Sequence, residues 1–347
     1  GRRSSLDKGK RANMRGAAVI VASRPLEPAE AVTDIQAEGK RILPALIRAG
    51  QVTFIERVII LLQLAGVAPI VVITGFENEE LERLLSRMSV VCLHNPRWQE
   101  SSFFDDAIRG LFYAQRTCRA CDKILLASPL IPSIRVDSLT RLLKSDAPLA
   151  LPVFEGQDGL PLVFSHEAVS KLTTAASGRS LADLIALAPG PVDRLDLDDQ
   201  GVLSTFGSLD KISEDLTGLS EPASLPMRAR IKLNLARETV FFGPGPATLL
   251  RLIDETGSVR TACIRMRLSY SKGWQILNLL EEELGAQVLD RRPGGQEGGR
   301  SLLTSLGRDL LQAYEAMAAE SQKQVNRLFQ AYFQDFQRQL EDKKTQG

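Results

Sequence analysis

The sequence predicts an α/β protein whose doubly wound, mostly parallel sheet is followed by a winged helix-turn-helix and a long C-terminal helix. Three observations carry this reading. Over the first two thirds, short apolar runs alternate with amphipathic helical stretches, as expected of strands buried on both faces and joined by crossover helices. Residues 213–226, "SEDLTGLSEPASLP", then break the pattern with polar residues and two prolines. Beyond them come three closely spaced helix signals, a glycine-rich basic loop and about forty residues of nearly uninterrupted helix formers.

In chain order, the strand-like runs are "AAVIVA" (17–22), "PIVVIT" (69–74), "VVCLH" (90–94), "KILLA" (123–127) and "LALPVF" (149–154). Helical periodicity fills the intervals at 54–66, 77–88, near 103–116 and near 137–144. A chain of 347 residues exceeds what one core usually serves. The expected division is a basic, disordered tail at 1–15, an α/β domain at 16–212, a linker at 213–226, a winged helix-turn-helix at 227–305 and a C-terminal dimerisation helix at 306–347.

Net charge is +1, unevenly spread. Residues 1–15 carry six basic residues and one acid, residues 16–226 nineteen and twenty-seven, and residues 227–347 eighteen and fourteen. An acidic body with a basic end places any polyanion partner on the C-terminal part. No run reaches the roughly 18 uncharged apolar residues of a membrane span, and the basic start lacks a signal peptide's apolar stretch. No membrane association and a cytoplasmic location are the expectation. The four cysteines form no disulfide framework, and a reducing compartment suits them. Cys92 and Cys263 read as core residues. Cys118 and Cys121 are a lone C-x-x-C without a second pair or nearby histidines, and their role is left open.

In the last third, Gly257 ends the first helix signal (247–257), Ser258 caps the second (259–268) and Ser269 the third (270–285). "AQVLDRRPGGQEGGRSLLT" supplies two β-like segments around a basic loop, the pattern of a wing. Along the third helix, Trp274, Leu277, Leu280 and Leu284 follow one face, whereas Ser271, Gln275, Asn278 and Glu282 follow the other, with Lys272 beside them. A solvated helix face would look the same. The preceding helix and the basic wing favour a recognition helix, whose N-terminal residues reach base edges: Gln and Asn suit adenine, Lys suits guanine or phosphate. Ser269, Tyr270, Ser271, Lys272, Gln275, Asn278, Arg291, Arg292 and Arg300 are therefore the expected DNA-binding residues, and double-stranded DNA the expected partner. Glu281 to Glu283 should tilt that helix end away from phosphate. In the tail, Leu310, Tyr314, Met317, Val325, Leu328, Tyr332 and Phe336 form a partial apolar stripe with a polar interval at 320–324, read as a homodimer seam or as a tail packed on its own chain.

Two resemblances bear on function. Through "KRILPALIRAGQVTFIERVI", "AGVAPIVVITG", "NPRW" and "LDDQGVL", residues 16–213 resemble the MobA-like nucleotidyltransferases, which transfer nucleotides onto molybdenum cofactor precursors. Members carry a glycine-rich phosphate loop after the first strand and a D-x-P aspartate that holds Mg²⁺. Here the loop reads "VIVASRPLEPAEAVTDIQAEGKRILP", where Lys40 alone matches as a nucleotide-binding residue, and the fourth main strand ends in "ASPLIPS". The family's G-H-P is "GLP" at 159–161, and its D-x-D-T-P aligns with "TFGSL" at 205–209. The resemblance then implies a pseudo-enzyme without catalytic or metal residues, unless Asp122, Asp158 or Asp199 supplies a reassigned site. Through "FFGPG", "LIDETGSVRTAC", "LSYSKGW", "GGQEGGRSLLT" and "GRDLLQAYE", residues 240–316 resemble the N-terminal DNA-binding domain of the molybdate-responsive ModE regulators. Together these imply a transcriptional regulator of molybdenum cofactor or molybdate metabolism with a nucleotide, molybdopterin or molybdate as effector and no cofactor. The alternative is an active nucleotidyltransferase using Mg²⁺ and a nucleoside triphosphate on a molybdopterin-type acceptor.

Overall fold

The computed structural model describes residues 15–26, 41–172, 180–203, 225–292 and 300–345. Lys40, the "TFGSL" segment, the expected basic tail up to residue 14, most of the linker and the wing tip at 293–299 lie outside the described residues. The chain divides into two compact units, Gly1–Arg228 and Ala229–Gly347.

The first unit holds strands β1 (Gly16–Val21), β2 (Arg48–Ala49), β3 (Val52–Thr53), β4 (Val67–Thr74), β5 (Val91–His94), β6 (Lys123–Ala127), β7 (Leu149–Phe154), β8 (Gln157–Asp158), β9 (Leu162–Ser165) and β10 (Val192–Asp196). Strands β2 and β3 pair as a separate hairpin. The main sheet runs β10-β7-β9-β6-β1-β4-β5, with β8 paired to β7. Strands β5, β4, β1 and β6 are mutually parallel, as are β7 and β10. Strand β9 is antiparallel to both β6 and β7 and joins the two parallel halves. Every residue of β1 and β6 is buried, including Lys123, whose ammonium donates to the Ala147 carbonyl at 3.4 Å. Burial lowers the Lys123 pKa, opposed by Asp146, Asp122 and Asp193.

The helices begin where the sequence offers caps. Thr53 and Glu56 form a capping box on the helix Phe54–Leu64, as do Ser102 and Asp105 on Phe103–Thr117. At the end of the latter, Cys118 caps the helix and its carbonyl accepts from the Cys121 amide at 3.2 Å. This turn brings the two sulfurs together, and Cys118 and Cys121 form a disulfide with Cα atoms 5.6 Å apart. The pairing corrects the expectation of reduced cysteines: the local turn alone juxtaposes the thiols.

The second unit starts with a hairpin, β11 (Leu235–Ala236) and β12 (Val240–Phe242), then the helices Pro244–Thr256, Val259–Arg265 and Tyr270–Leu284. Strands β13 (Leu289–Arg292) and β14 (Arg300–Leu303) pair antiparallel, and the helix Ser305–Thr345 closes the chain. Gly257 ends the first of these helices at φ 68°, a left-handed conformation that suits glycine. Leu249, Leu250, Ile253, Val259, Cys263, Leu277, Leu280, Val288 and Tyr314 belong to one buried core. The first turns of the long helix pack on it. Arg251 donates to Glu315 at 2.8 and 2.5 Å, and Tyr314 packs edge-on to Phe242 while its hydroxyl donates to the Leu233 carbonyl at 3.0 Å. The interval expected to be merely polar holds Gln322, which accepts from the Ile231 amide and donates to the Ala229 carbonyl at 2.9 Å.

The helices Val259–Arg265 and Tyr270–Leu284 cross where Gly273 is buried against Cys263. A β-carbon at 273 would lie 2.2 Å from the Cys263 sulfur. Gly273→Ala is expected to lower stability by about 1–3 kcal/mol through overpacking, and Cys263→Ala in the same chain to restore much of it. Urea midpoints of the two variants provide the check, and equal midpoints for Gly273→Ala and wild type would contradict this crossing.

Candidate functional site

In the first unit, the loops at the carboxyl ends of β1, β4, β5 and β6 are where a ligand of such a sheet would sit. Those past β1 and β5 are tied together by Asp106, 1% exposed on the helix Phe103–Thr117. The Ser23 hydroxyl, just past β1, donates to Asp106 Oδ2. Asn95, just past β5, donates to Oδ1 at 2.7 Å, and Ser101 to the same oxygen at 3.3 Å. Arg24 donates to the carbonyls of Trp98 (2.6 Å) and Ser101. The Ser23 carbonyl accepts from the Phe76 amide beyond β4 at 2.9 Å. Ser23 and Arg24 are thus committed to protein groups at the start of the segment that would form a phosphate loop.

At the end of β6, Ser128 is buried and its hydroxyl accepts from the Leu130 amide at 3.2 Å; Leu130, Ile131 and Ile134 are also buried. Arg57 Nε donates to the Pro132 carbonyl at 2.7 Å and holds this turn from the other side. Mg²⁺ is held through oxygen ligands, chiefly carboxylates, and this strand end offers a serine and alkyl groups instead. The acids weighed as a reassigned site are separately engaged. Asp122 accepts from the Arg15 amide at 2.9 Å, Asp158 from Arg194 at 3.0 to 3.3 Å, and buried Asp199 from the Arg135 and Gly201 amides and the Ser138 hydroxyl. Among the described residues, no three histidine, cysteine or acidic side chains gather as a metal site. The described residues at this strand end do not fit the metal that a nucleotidyltransferase would need.

In the second unit, Ser269 caps the helix Tyr270–Leu284, accepting from the Lys272 amide at 3.2 Å, and its hydroxyl lies 3.1 Å from that of Ser271. Leu277 and Leu280 are buried and Trp274 and Leu284 half-buried, whereas Ser269, Tyr270, Ser271, Lys272, Gln275, Asn278 and Glu282 are exposed. All six helix and cap residues expected to touch DNA are exposed. Of the three glutamates, Glu281 accepts from the Val288 amide at 3.0 Å and Glu283 pairs with Arg237 at 3.8 Å, so two are engaged within the unit. The wing is a β13–β14 pair with Arg291 opposite Ser301 and Arg292 opposite Arg300.

Sequence reasoning missed two features of this face. Arg260 lies over the Tyr270 ring, its guanidinium carbon 5.9 Å from the centroid, and Arg267 occupies the turn before the recognition helix at φ 55°. Both are exposed. Each described α-helix of the first unit carries an acid in its first turn, as the helix dipole favours, and none of the second unit's four does. That contrast is visible in the sequence once the helix starts are known.

Known proteins divide in the same way. Residues 44–194 match the family model of the MobA-like NTP transferase domain. Over its C-terminal region the chain is 35% identical across 85 residues to the molybdenum-pterin-binding protein MopB of Rhodobacter capsulatus, covering 24% of this chain and 32% of that protein. It is 33% identical across 106 residues to the transcriptional regulator ModE of Yersinia pestis, covering 29% and 39%. The chain spans about a third of the length of these relatives. Among solved structures, a nucleotidyl transferase from Methanothermobacter aligns with 60% of this chain and 98% of its own at 18% identity and a TM-score of 0.48. The chain thus joins a region that matches the MobA-like NTP transferase domain to a region similar to ModE-type regulators.

Burial raises the Asp106 pKa from its usual 3.8, opposed in turn by the hydrogen bonds from Ser23, Asn95 and Ser101 and by Arg109. Between 3.8 and the raised value the folded state keeps a proton that the unfolded chain releases, so stability falls as pH climbs through that interval. Asp106→Asn is expected to remove this dependence. Asp106→Ala, which strips three donors of their acceptor, is expected to cost about 1–3 kcal/mol. Unfolding curves across acid pH decide; a slope unchanged in Asp106→Asn would contradict the assignment.

Proposed function

We propose that the protein is a homodimeric, DNA-binding transcriptional regulator linked to molybdate or molybdenum cofactor metabolism. The observation that carries the reading is the open polar face of the helix Tyr270–Leu284, where Ser271, Lys272, Gln275 and Asn278 stand exposed beside a two-stranded wing. An α-helix fits the major groove, Gln and Asn present paired donors and acceptors to adenine, and Lys donates to guanine or phosphate. The similarity to a transcriptional regulator and a molybdenum-pterin-binding protein supports both DNA binding and the link to molybdenum.

Dimerisation rests on the far half of the long helix. Leu328, Tyr332, Phe336 and Leu340 recur every four residues and are exposed, Tyr332 at 79%. Such a stripe beyond the unit's own core suits a second copy of the same helix. The first unit, with a serine turn where a metal-binding aspartate is needed, acts in this reading as a catalytically silent sensor. Its effector is a nucleotide, a molybdopterin or molybdate. The effector must bind the DNA-competent and DNA-incompetent states with different affinity.

Selection from a random duplex pool is expected to enrich a two-fold symmetric site. Lys272→Ala with Gln275→Ala should relax its sequence preference, each lost base contact costing roughly 1–3 kcal/mol. No enrichment at moderate salt would remove the DNA-reading function, and unchanged preference in the double variant would mean that another face reads the bases.

The match of residues 44–194 to a transferase family favours one second reading, an active Mg²⁺-dependent nucleotidyltransferase with a regulatory appendage. Calorimetric titration with each nucleoside triphosphate and Mg²⁺, followed by a pyrophosphate assay with a pterin acceptor, separates the two. The sensor reading expects no pyrophosphate, and its release would replace that reading.

A further inference from the structure

Among the described residues, five arginines of the second unit pair with carboxylates. Arg237 pairs with Glu283, Arg251 with Glu315, Arg265 with Glu255, Arg308 with Asp254 and Arg338 with Asp335. Arg260 differs. It is exposed, makes no ion pair among the described residues, and lies over the Tyr270 ring. That ring is itself 50% exposed and also meets Trp274 edge-on at 6.0 Å.

An exposed cation–π contact contributes only roughly 0.5–1 kcal/mol, so stability alone is a weak reason for the arrangement. Its geometric effect is larger. A guanidinium attracted to an aromatic face spends none of its N–H groups on a hydrogen bond there. The ring thereby orders a long, mobile side chain and leaves its donors free for a planar, charged acceptor. Phosphate is such an acceptor. Tyr270 is the first residue of the recognition helix, next to the Ser269 and Ser271 hydroxyls and two residues before Lys272. Arg260 belongs to the preceding helix, which in helix-turn-helix proteins crosses the DNA backbone.

We infer that Arg260, held over Tyr270, is a phosphate contact that fixes how the recognition helix enters the groove; the inference rests on the DNA-reading function proposed above. Arg260 sets register and affinity while Lys272, Gln275 and Asn278 read bases. Tyr270 is a positioning residue that acts through Arg260.

The test measures dissociation constants for the selected duplex and for a scrambled duplex of equal length across a potassium chloride series. Wild type must first select and bind its site; failure there overturns the DNA-reading function itself, before any variant is made. Arg260→Gln is then expected to flatten the salt dependence by about one phosphate contact. The affinity that wild type loses between 50 and 200 mM salt should shrink by roughly 3–4-fold. Both duplexes should weaken together, leaving site preference unchanged. Arg260→Lys keeps the charge and should keep the salt slope. Tyr270→Leu should weaken binding in Arg260 chains while adding nothing in the Arg260→Gln background. A wild-type salt slope in Arg260→Gln overturns the inference, as does collapse of site preference with the slope intact, which would make Arg260 a base reader or a structural residue.

Discussion

One missing β-carbon governs the second unit. With hydrogen at 273, the helix Tyr270–Leu284 approaches Cys263 closely enough that the sulfur occupies the place where a larger residue's side chain would begin. The crossing fixes the rotation of the recognition helix about its own axis. Leu277 and Leu280 turn into the core, so Gln275 and Asn278 turn out. It also brings Tyr270 beneath Arg260, a residue of the other helix. The polar face is thus a consequence of packing on its opposite side: its direction is set by sulfur, leucines and one glycine.

The first unit depends on a buried carboxylate in a comparable way. Asp106 gathers donors from Ser23, Asn95 and Ser101, and so draws together the segments past β1 and β5. A nucleotide site would need the region past β1 to present donors outward. Here the donors of Ser23 and Arg24 point inward to protein acceptors, and the turn past β6 is filled by Leu130, Ile131 and Ile134. A fold similar to the transferases is retained with its carboxyl-end loops turned to their own support.

Much of this was legible in the sequence, for identifiable reasons. Strand β7 coincides with "LALPVF" because a fully buried strand is a continuous apolar run bounded by turn residues. The caps at Ser258 and Ser269 were legible because a serine before a helical period has one favourable use there. The reversed direction of β9 was not, because periodicity carries no polarity and "LVFS" is too short to distinguish neighbours. In the sequence Asp106 is one of two adjacent acids; only the fold reveals that it is buried while Asp105 completes the capping box with Ser102. The Arg260–Tyr270 pair joins residues on two helices whose crossing must be known first. The Cys118–Cys121 pairing depends on a turn that spacing permits without requiring.

The strap along the long helix has a mechanical consequence. The chain enters the second unit at Ala229, and its backbone is fastened at Ala229 and Ile231 to Gln322 and at Leu233 to Tyr314. A tug on the preceding segment is therefore borne by the shaft of this helix, between its packed base and its exposed aromatic end. The fastening acts as a strain relief that shares the load between the shaft at Gln322 and, through Tyr314, the core of the unit.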